Sequence, residues 1–185
     1  MTNVTKLEFN KSYFLSDYRR KKIEKIKNEN SKKLSLGAEL VLYYALKKHR
    51  PDMALPPDIK VSPTGKPYID GVYFSLSHSH DYAACAVAEC DVGLDIEKIN
   101  KEQNLAVGKK FLTDDELKLL TADNFFDFWT KKESFIKLNG FDRSPGPKTF
   151  SVLSGNFYSF TENGYYITAA SEKPDTAVVN IITLE

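Results

Sequence analysis

YFSLSHSHDYAACAVAE, residues Tyr73–Glu89, and FYSFTENGYYITAASE, residues Phe157–Glu172, share one pattern. Each reads as an aromatic strand, a polar turn, and a strand led by tyrosine and filled with small residues. Working outward, helix signals precede the strands in each case. Ser16 or Asp17 is an N-cap for a helical run DYRRKKIEKIKNEN. A second helix is expected over Ser31 to Lys48, with Leu34, Leu36, Leu40, Val41, Tyr44 and Ala45 as its apolar face. The proline-bearing stretch Arg50 to Pro57 stops it. Short strands are expected at Ile59–Val61, Pro67–Ile69, Val72–His78, Tyr82–Glu89 and Val92–Ile96. Helical patterns follow over Leu105–Phe111, Asp114–Leu120 and Phe125–Leu138. Strand signals return at Thr149–Val152, Phe157–Phe160, Tyr165–Ala170 and Ala177–Thr183. Helices then strands, twice, predict an α+β fold: two similar subdomains, residues 1–98 and 99–185, about a pseudo-twofold axis, with a ligand crevice between them.

Bulk properties narrow the class. With 42% hydrophobic and 28% charged residues over 185 positions, the chain can bury a core without disulfides or a structural metal. Cys85 and Cys90 match no zinc or redox spacing and read as buried free thiols of a reducing compartment. No apolar run reaches membrane-span length, and Met1 to Phe14 lacks the order of a secretory signal, so a cytoplasmic location is expected. Net charge is +1, yet residues 1–50 hold 13 lysines and arginines against 5 acids. Most of that surplus lies between Arg19 and Lys33, where it suits a polyanion or, equally, a solvated helix face. Nucleic acid is not the expected partner, because the basic stretch lacks interleaved aromatics and any recognised binding motif.

The acids carry chemistry. Gly93-Leu94-Asp95-Ile96-Glu97 closes a strand, so Asp95 and Glu97 share a face, roughly 6–7 Å apart. Such a pair repels unless neutralised; Mg²⁺ suits two carboxylates plus phosphate, and a solvated strand end is the plain alternative. Trp129, Glu133 and Lys137 are spaced i, i+4, i+8 and stack along one helix stripe. Trp129 draws that stripe inward, and a buried Glu133 then needs a metal or Lys137; otherwise Glu133 and Lys137 are a surface pair. Glu116 is a third acid, and with Thr113 it also has capping-box spacing. Ser77, His78 and Ser79 offer hydroxyls and an imidazole to a phosphate, or form an ordinary exposed turn. Gly65-Lys66-Pro67 offers a close backbone and a cation. No P-loop, dinucleotide fingerprint or nucleophile elbow is present.

In this order, Gly65-Lys66-Pro67, Phe74-x-x-Ser77-His78-Ser79, Gly93-Leu94-Asp95-Ile96-Glu97, Phe111-x-x-x-x-Glu116 and Trp129-x-x-Lys132-Glu133-x-x-x-Lys137 resemble the 4′-phosphopantetheinyl transferase family. The likeness is to its longer, single-chain, pseudo-dimeric branch rather than to the short trimeric holo-acyl-carrier-protein synthases. The resemblance implies transfer of 4′-phosphopantetheine from coenzyme A to a serine of an acidic acyl- or peptidyl-carrier protein, with Mg²⁺ (or Mn²⁺ in its place), by a monomer that needs no membrane. It implies that Asp95, Glu97 and Glu133 hold the metal, with Glu116 close by. Glu133 would also be the base, and Lys137 would face the phosphates and support departure of 3′,5′-ADP. Ser77, His78 and Lys66 would contact phosphates or nucleotide beside Gly65 and Pro67, with Lys132 near. Arg19, Lys22 and Lys33 would grip the 3′-phosphate. A non-catalytic coenzyme A- or carrier-binding relative is the alternative. The chain departs from the family pattern at Ser75, often Asn, and after the catalytic helix, where Asn139-Gly140-Phe141-Asp142 replaces Gly-x-Gly-Leu.

Overall fold

The computed structural model describes residues 1–7, 14–100, 105–140 and 146–173. Helix α1 (Asp17–Glu24) starts where Ser16 Oγ accepts the Arg19 amide. The basic run expected to continue through Asn30 breaks, because Asn28 caps a new helix by accepting the Ser31 amide at 2.9 Å. Helix α2 (Glu29–His49) therefore begins earlier than its apolar pattern suggested. It buries Leu36, Ala38, Val41, Leu42 and Leu46, whereas Tyr44, expected on that face, is exposed.

Strands β1 (Thr2–Asn3), β2 (Lys60–Val61), β3 (Pro67–Tyr68), β4 (Tyr73–Ser79), β5 (Tyr82–Ala88) and β6 (Val92–Lys98) follow the expected order, apart from the short β1. After short helices α3 (Gly108–Phe111) and α4 (Asp114–Leu119) comes the long α5 (Phe125–Asn139), then β7 (Phe157–Glu162) and β8 (Tyr165–Ser171). Thr149–Val152 is no strand: a 3₁₀ turn occupies Pro147–Thr149. Its backbone is satisfied by side chains instead of a ladder, since Lys132 donates to the Pro147 and Phe150 carbonyls and Glu116 accepts the Val152 amide. The expected strand Ala177–Thr183 lies outside the described residues.

Both repeated stretches form antiparallel hairpins, β4–β5 and β7–β8. Each hairpin's second strand also pairs with an earlier strand, giving sheets of order β1-β5-β4 and β6-β8-β7. The two sheets thus repeat one topology: leading strand, helices, hairpin. This pairing assigns β6, with Asp95 and Glu97, to the second sheet.

The sheets share a core of Ala84, Leu94, Ile96, Tyr165 and Ile167. Leu42, Leu46, Ile59 and Phe74 fill the space under α2. Phe111, Leu112, Phe125, Phe128 and Val152 pack around α5. Gly93 fixes how closely α5 lies on β6. A Cβ there would stand 1.9 Å from the Ser134 carbonyl oxygen and 2.4 Å from the Leu138 amide nitrogen, so only glycine permits this approach. Glu133 and Lys137 are thereby delivered to the same cleft as Asp95.

Candidate active site

Strands β4 and β6 run side by side in parallel, joined by side chains. Ser75, Ser77 and Ser79 alternate on one face of β4. Their hydroxyls accept the backbone amides of Leu94 (2.9 Å), Ile96 (3.3 Å) and Lys98 (3.2 Å). This ladder brings Asp95 and Glu97 into a cleft of about 430 Å³, which Arg19, Lys22, Lys66, His78, Glu133 and Lys137 also line.

Asp95 is 4% exposed. Its Oδ1 accepts from Ser77 Oγ at 3.0 Å and from Lys137 Nζ at 2.6 Å. Its buried Oδ2 has no hydrogen-bond partner. Burial pushes the Asp95 carboxyl above its usual range, against the pull of Lys137 and Ser77. Glu97 accepts from Ser79 Oγ at 2.8 Å and, more weakly, from Trp129 Nε1 at 3.4 Å. Its carboxyl is raised by burial and by the Asp95 charge, while the Ser79 hydrogen bond opposes. Glu133 is raised by burial, then by Asp95 and Glu97, with Lys137 opposing. Burial is the main reason that all three acids resist ionisation, and neighbouring carboxylates add to it at Glu97 and Glu133, so a cation placed among them would be stabilised.

Among the described residues, no three His, Cys, Asp or Glu side chains stand together as a ready-made metal cage. Mg²⁺ does not require one, since it is commonly held by one or two carboxylates with waters and substrate phosphate completing the shell. The hard-oxygen donors and the orphaned Asp95 Oδ2 fit that ion.

The basic rim differs in part from expectation. His78 is exposed at the cleft, yet desolvation by its walls and the charges of Lys137, Lys22 and Arg19 hold its imidazole below the usual value. Arg19 lines the cleft but is buried, its Nε 2.9 Å from the fully buried Glu39 and its guanidinium donating to Ser35. Lys22 is exposed at the cleft. Lys33 turns away, toward the Thr5 carbonyl at 3.4 Å. Lys66 sits between the Val92 and Leu138 carbonyls, at 3.3 and 3.1 Å, with Asp91 at 3.5 Å. There it neutralises the negative end of α5 while its stem borders the cleft. The Ser77 hydroxyl, expected against a phosphate, is directed at Asp95.

Glu116 and Lys132 are not in the cleft. Glu116 is fully buried, paired with Lys132 at 2.8 Å, closes a capping box with Thr113 and accepts the Val152 amide. Burial pushes its carboxyl up, but the Lys132 ammonium and these two amides outweigh that and hold it below its ordinary value. Positions 132 and 137 face different sides of α5, so the two lysines serve different partners. Sequence reasoning missed Ser79 as a partner of Glu97 and Glu39 as the partner of Arg19. The period-two serines of β4 were the available signal for the first.

A model of the 4′-phosphopantetheinyl transferase superfamily matches residues 91–178, beginning one residue before β6. The 4′-phosphopantetheinyl transferase Sfp of Bacillus subtilis (strain 168) is 32% identical over 152 residues, covering 75% of this chain and 66% of Sfp. This chain belongs to the 4′-phosphopantetheinyl transferase superfamily. The 4′-phosphopantetheinyl transferase gsp of Aneurinibacillus migulanus is 36% identical over 84 residues, 41% of this chain. The 4′-phosphopantetheinyl transferase psf-1 of Bacillus pumilus is 38% identical over 98 residues, 48% of this chain. These two matches span 35% and 42% of the relatives' own lengths. The superfamily's α+β character agrees with the two mixed halves seen here, and no described helix is long and apolar enough to cross a membrane.

Proposed function

We propose that this chain transfers the 4′-phosphopantetheine group of coenzyme A to a serine hydroxyl of an acyl- or peptidyl-carrier protein, releasing 3′,5′-ADP. The observation that carries this reading is the acid set Asp95, Glu97 and Glu133 facing Lys137 in one cleft with a basic rim. Phosphoryl transfer needs charge neutralisation and alignment more than covalent help from the protein. The attacking hydroxyl belongs to the carrier, in keeping with a cleft in which the Ser77 hydroxyl is already engaged with Asp95. The half-buried Cys85 thiol, pushed up to about 12 by desolvation, is no rival nucleophile.

Asp95, Glu97 and Glu133 would hold Mg²⁺, which when bound supplies neutralising charge to the diphosphate and to the departing ADP oxygen. Glu133 would accept the serine proton. Its raised affinity for protons brings it nearer the working range of a general base than an ordinary carboxylate. Lys137, held by Asp95 and Ser77 at the cleft wall, would face the non-bridging phosphate oxygens. Lys22 and the exposed His78 would contact the nucleotide phosphates, with Arg19 fixed behind them.

The test combines the protein, coenzyme A, Mg²⁺ and an apo-carrier protein, and weighs the carrier by mass spectrometry. Gain of one phosphopantetheine group is expected, and its loss on adding EDTA. Absence of any gain on several carriers, with coenzyme A still bound, would leave a non-catalytic binder.

A further inference from the structure

We infer that Ser79 is a positioning residue that sets the orientation of the Glu97 carboxylate for the divalent cation; this rests on the metal-facing role proposed above for Asp95 and Glu97. A serine hydroxyl has one proton to donate and two lone pairs. In Ser79 the oxygen accepts the Lys98 amide at 3.2 Å and contacts His80 Nδ1, also at 3.2 Å. Because an ionised carboxylate can only accept, the hydroxyl proton is aimed at Glu97 Oε2, 2.8 Å away. Trp129 Nε1 approaches the other oxygen, Oε1, at 3.4 Å. Glu97 is therefore addressed from two sides, by β4 and by α5, and the nearer donor is Ser79.

Ser77 does the same for Asp95: it accepts the Ile96 amide and donates to Oδ1 at 3.0 Å. Ser75 makes only the first half of this arrangement, accepting the Leu94 amide at 2.9 Å. The ladder therefore contains its own control. Removing either terminal hydroxyl deletes one hydrogen bond to a β6 backbone amide, but only Ser79 also holds a carboxylate. Groups that orient metal-ligating side chains typically change metal affinity or activity by about 10- to 100-fold when removed.

Mn²⁺ binding to the full chain, followed by electron paramagnetic resonance with coenzyme A present and no carrier, reads this without turnover. Ser79→Ala is expected to weaken Mn²⁺ binding about tenfold. Ser79→Thr, which keeps the hydroxyl, should restore most of it. Ser75→Ala should lower the Tm about as much as Ser79→Ala yet bind Mn²⁺ as the wild type does. Wild-type affinity in Ser79→Ala, or equal weakening in Ser75→Ala, would overturn the inference and leave the hydroxyls as fasteners between strands. A wild-type chain that binds no Mn²⁺ would overturn the metal reading itself, and this inference with it.

Discussion

Helix α5 carries two lysines five residues apart, and each meets a buried carboxylate: Lys132 meets Glu116, and Lys137 meets Asp95. The first pair is closed. Both Glu116 oxygens have donors, Lys132 also reaches two backbone carbonyls, and the pair's side chains are 2% and 0% exposed. The second pair is open. Asp95 keeps one oxygen without a donor, Lys137 is 18% exposed, and two further acids crowd the same cleft. The same charges on the same helix thus serve opposite ends. A saturated pair ties the turn at 147–152 to α5, whereas an unsaturated pair keeps unmet demand facing a ligand space.

The comparison breaks most visibly at the closed pair. Lys132→Met should cost about 3–5 kcal/mol of stability in urea denaturation, because Glu116 is left buried without its counter-charge. A loss below about 1 kcal/mol would mean that water or another donor replaces the ammonium. Next in size, Glu133→Gln should reduce turnover by roughly 100-fold or more while leaving the unfolding curve nearly in place. Turnover close to wild type would remove Glu133 from the role of base. Lys137→Met should likewise depress turnover by roughly 100-fold, with a smaller stability loss than Lys132→Met. A larger one would show that the two pairs are the same kind of structure after all.

The smallest effect is one of sign, read in EDTA. Glu116 is held below its ordinary value, so its stabilisation is present above the unfolded carboxyl value and lost as pH falls through the folded one. Asp95 is pushed above its ordinary value, so its contribution is present at low pH and lost as pH rises through the folded value. Relative to wild type, Glu116→Gln should therefore be most destabilised at neutral pH and recover in acid. Asp95→Asn should gain relative stability as pH rises from the ordinary carboxyl range to neutrality. Parallel trends for the two variants in urea unfolding series would refute the open-versus-closed distinction.

The hairpins and the α5 stripe were legible because their information is local. Period-two and 3.6-residue patterns fix which face a side chain occupies, and Trp129, Glu133 and Lys137 needed nothing more. What lies opposite a face is not local. Glu116 matched a site acid and a capping residue equally well, and only the position of Lys132 and the Val152 amide shows which role the fold uses. The Ser77 hydroxyl was expected against a phosphate or in an exposed turn, and in the structure it donates to a carboxylate 18 residues away, a partner that no local pattern could name. The expected strand at Thr149–Val152 failed for a related reason. Two charged side chains from elsewhere satisfy that backbone, so residue propensity there had no ladder to join.

Equivalent strands of the two sheets are furnished unequally. The outer place in one is a two-residue strand of Thr2 and Asn3, and in the other a seven-residue strand bearing Asp95 and Glu97. Duplicated architecture here does not duplicate reactivity. The acids come from one repeat and most of the cations from the other, so neither half alone could assemble the seam, and nucleotide titration should saturate at one equivalent per polypeptide.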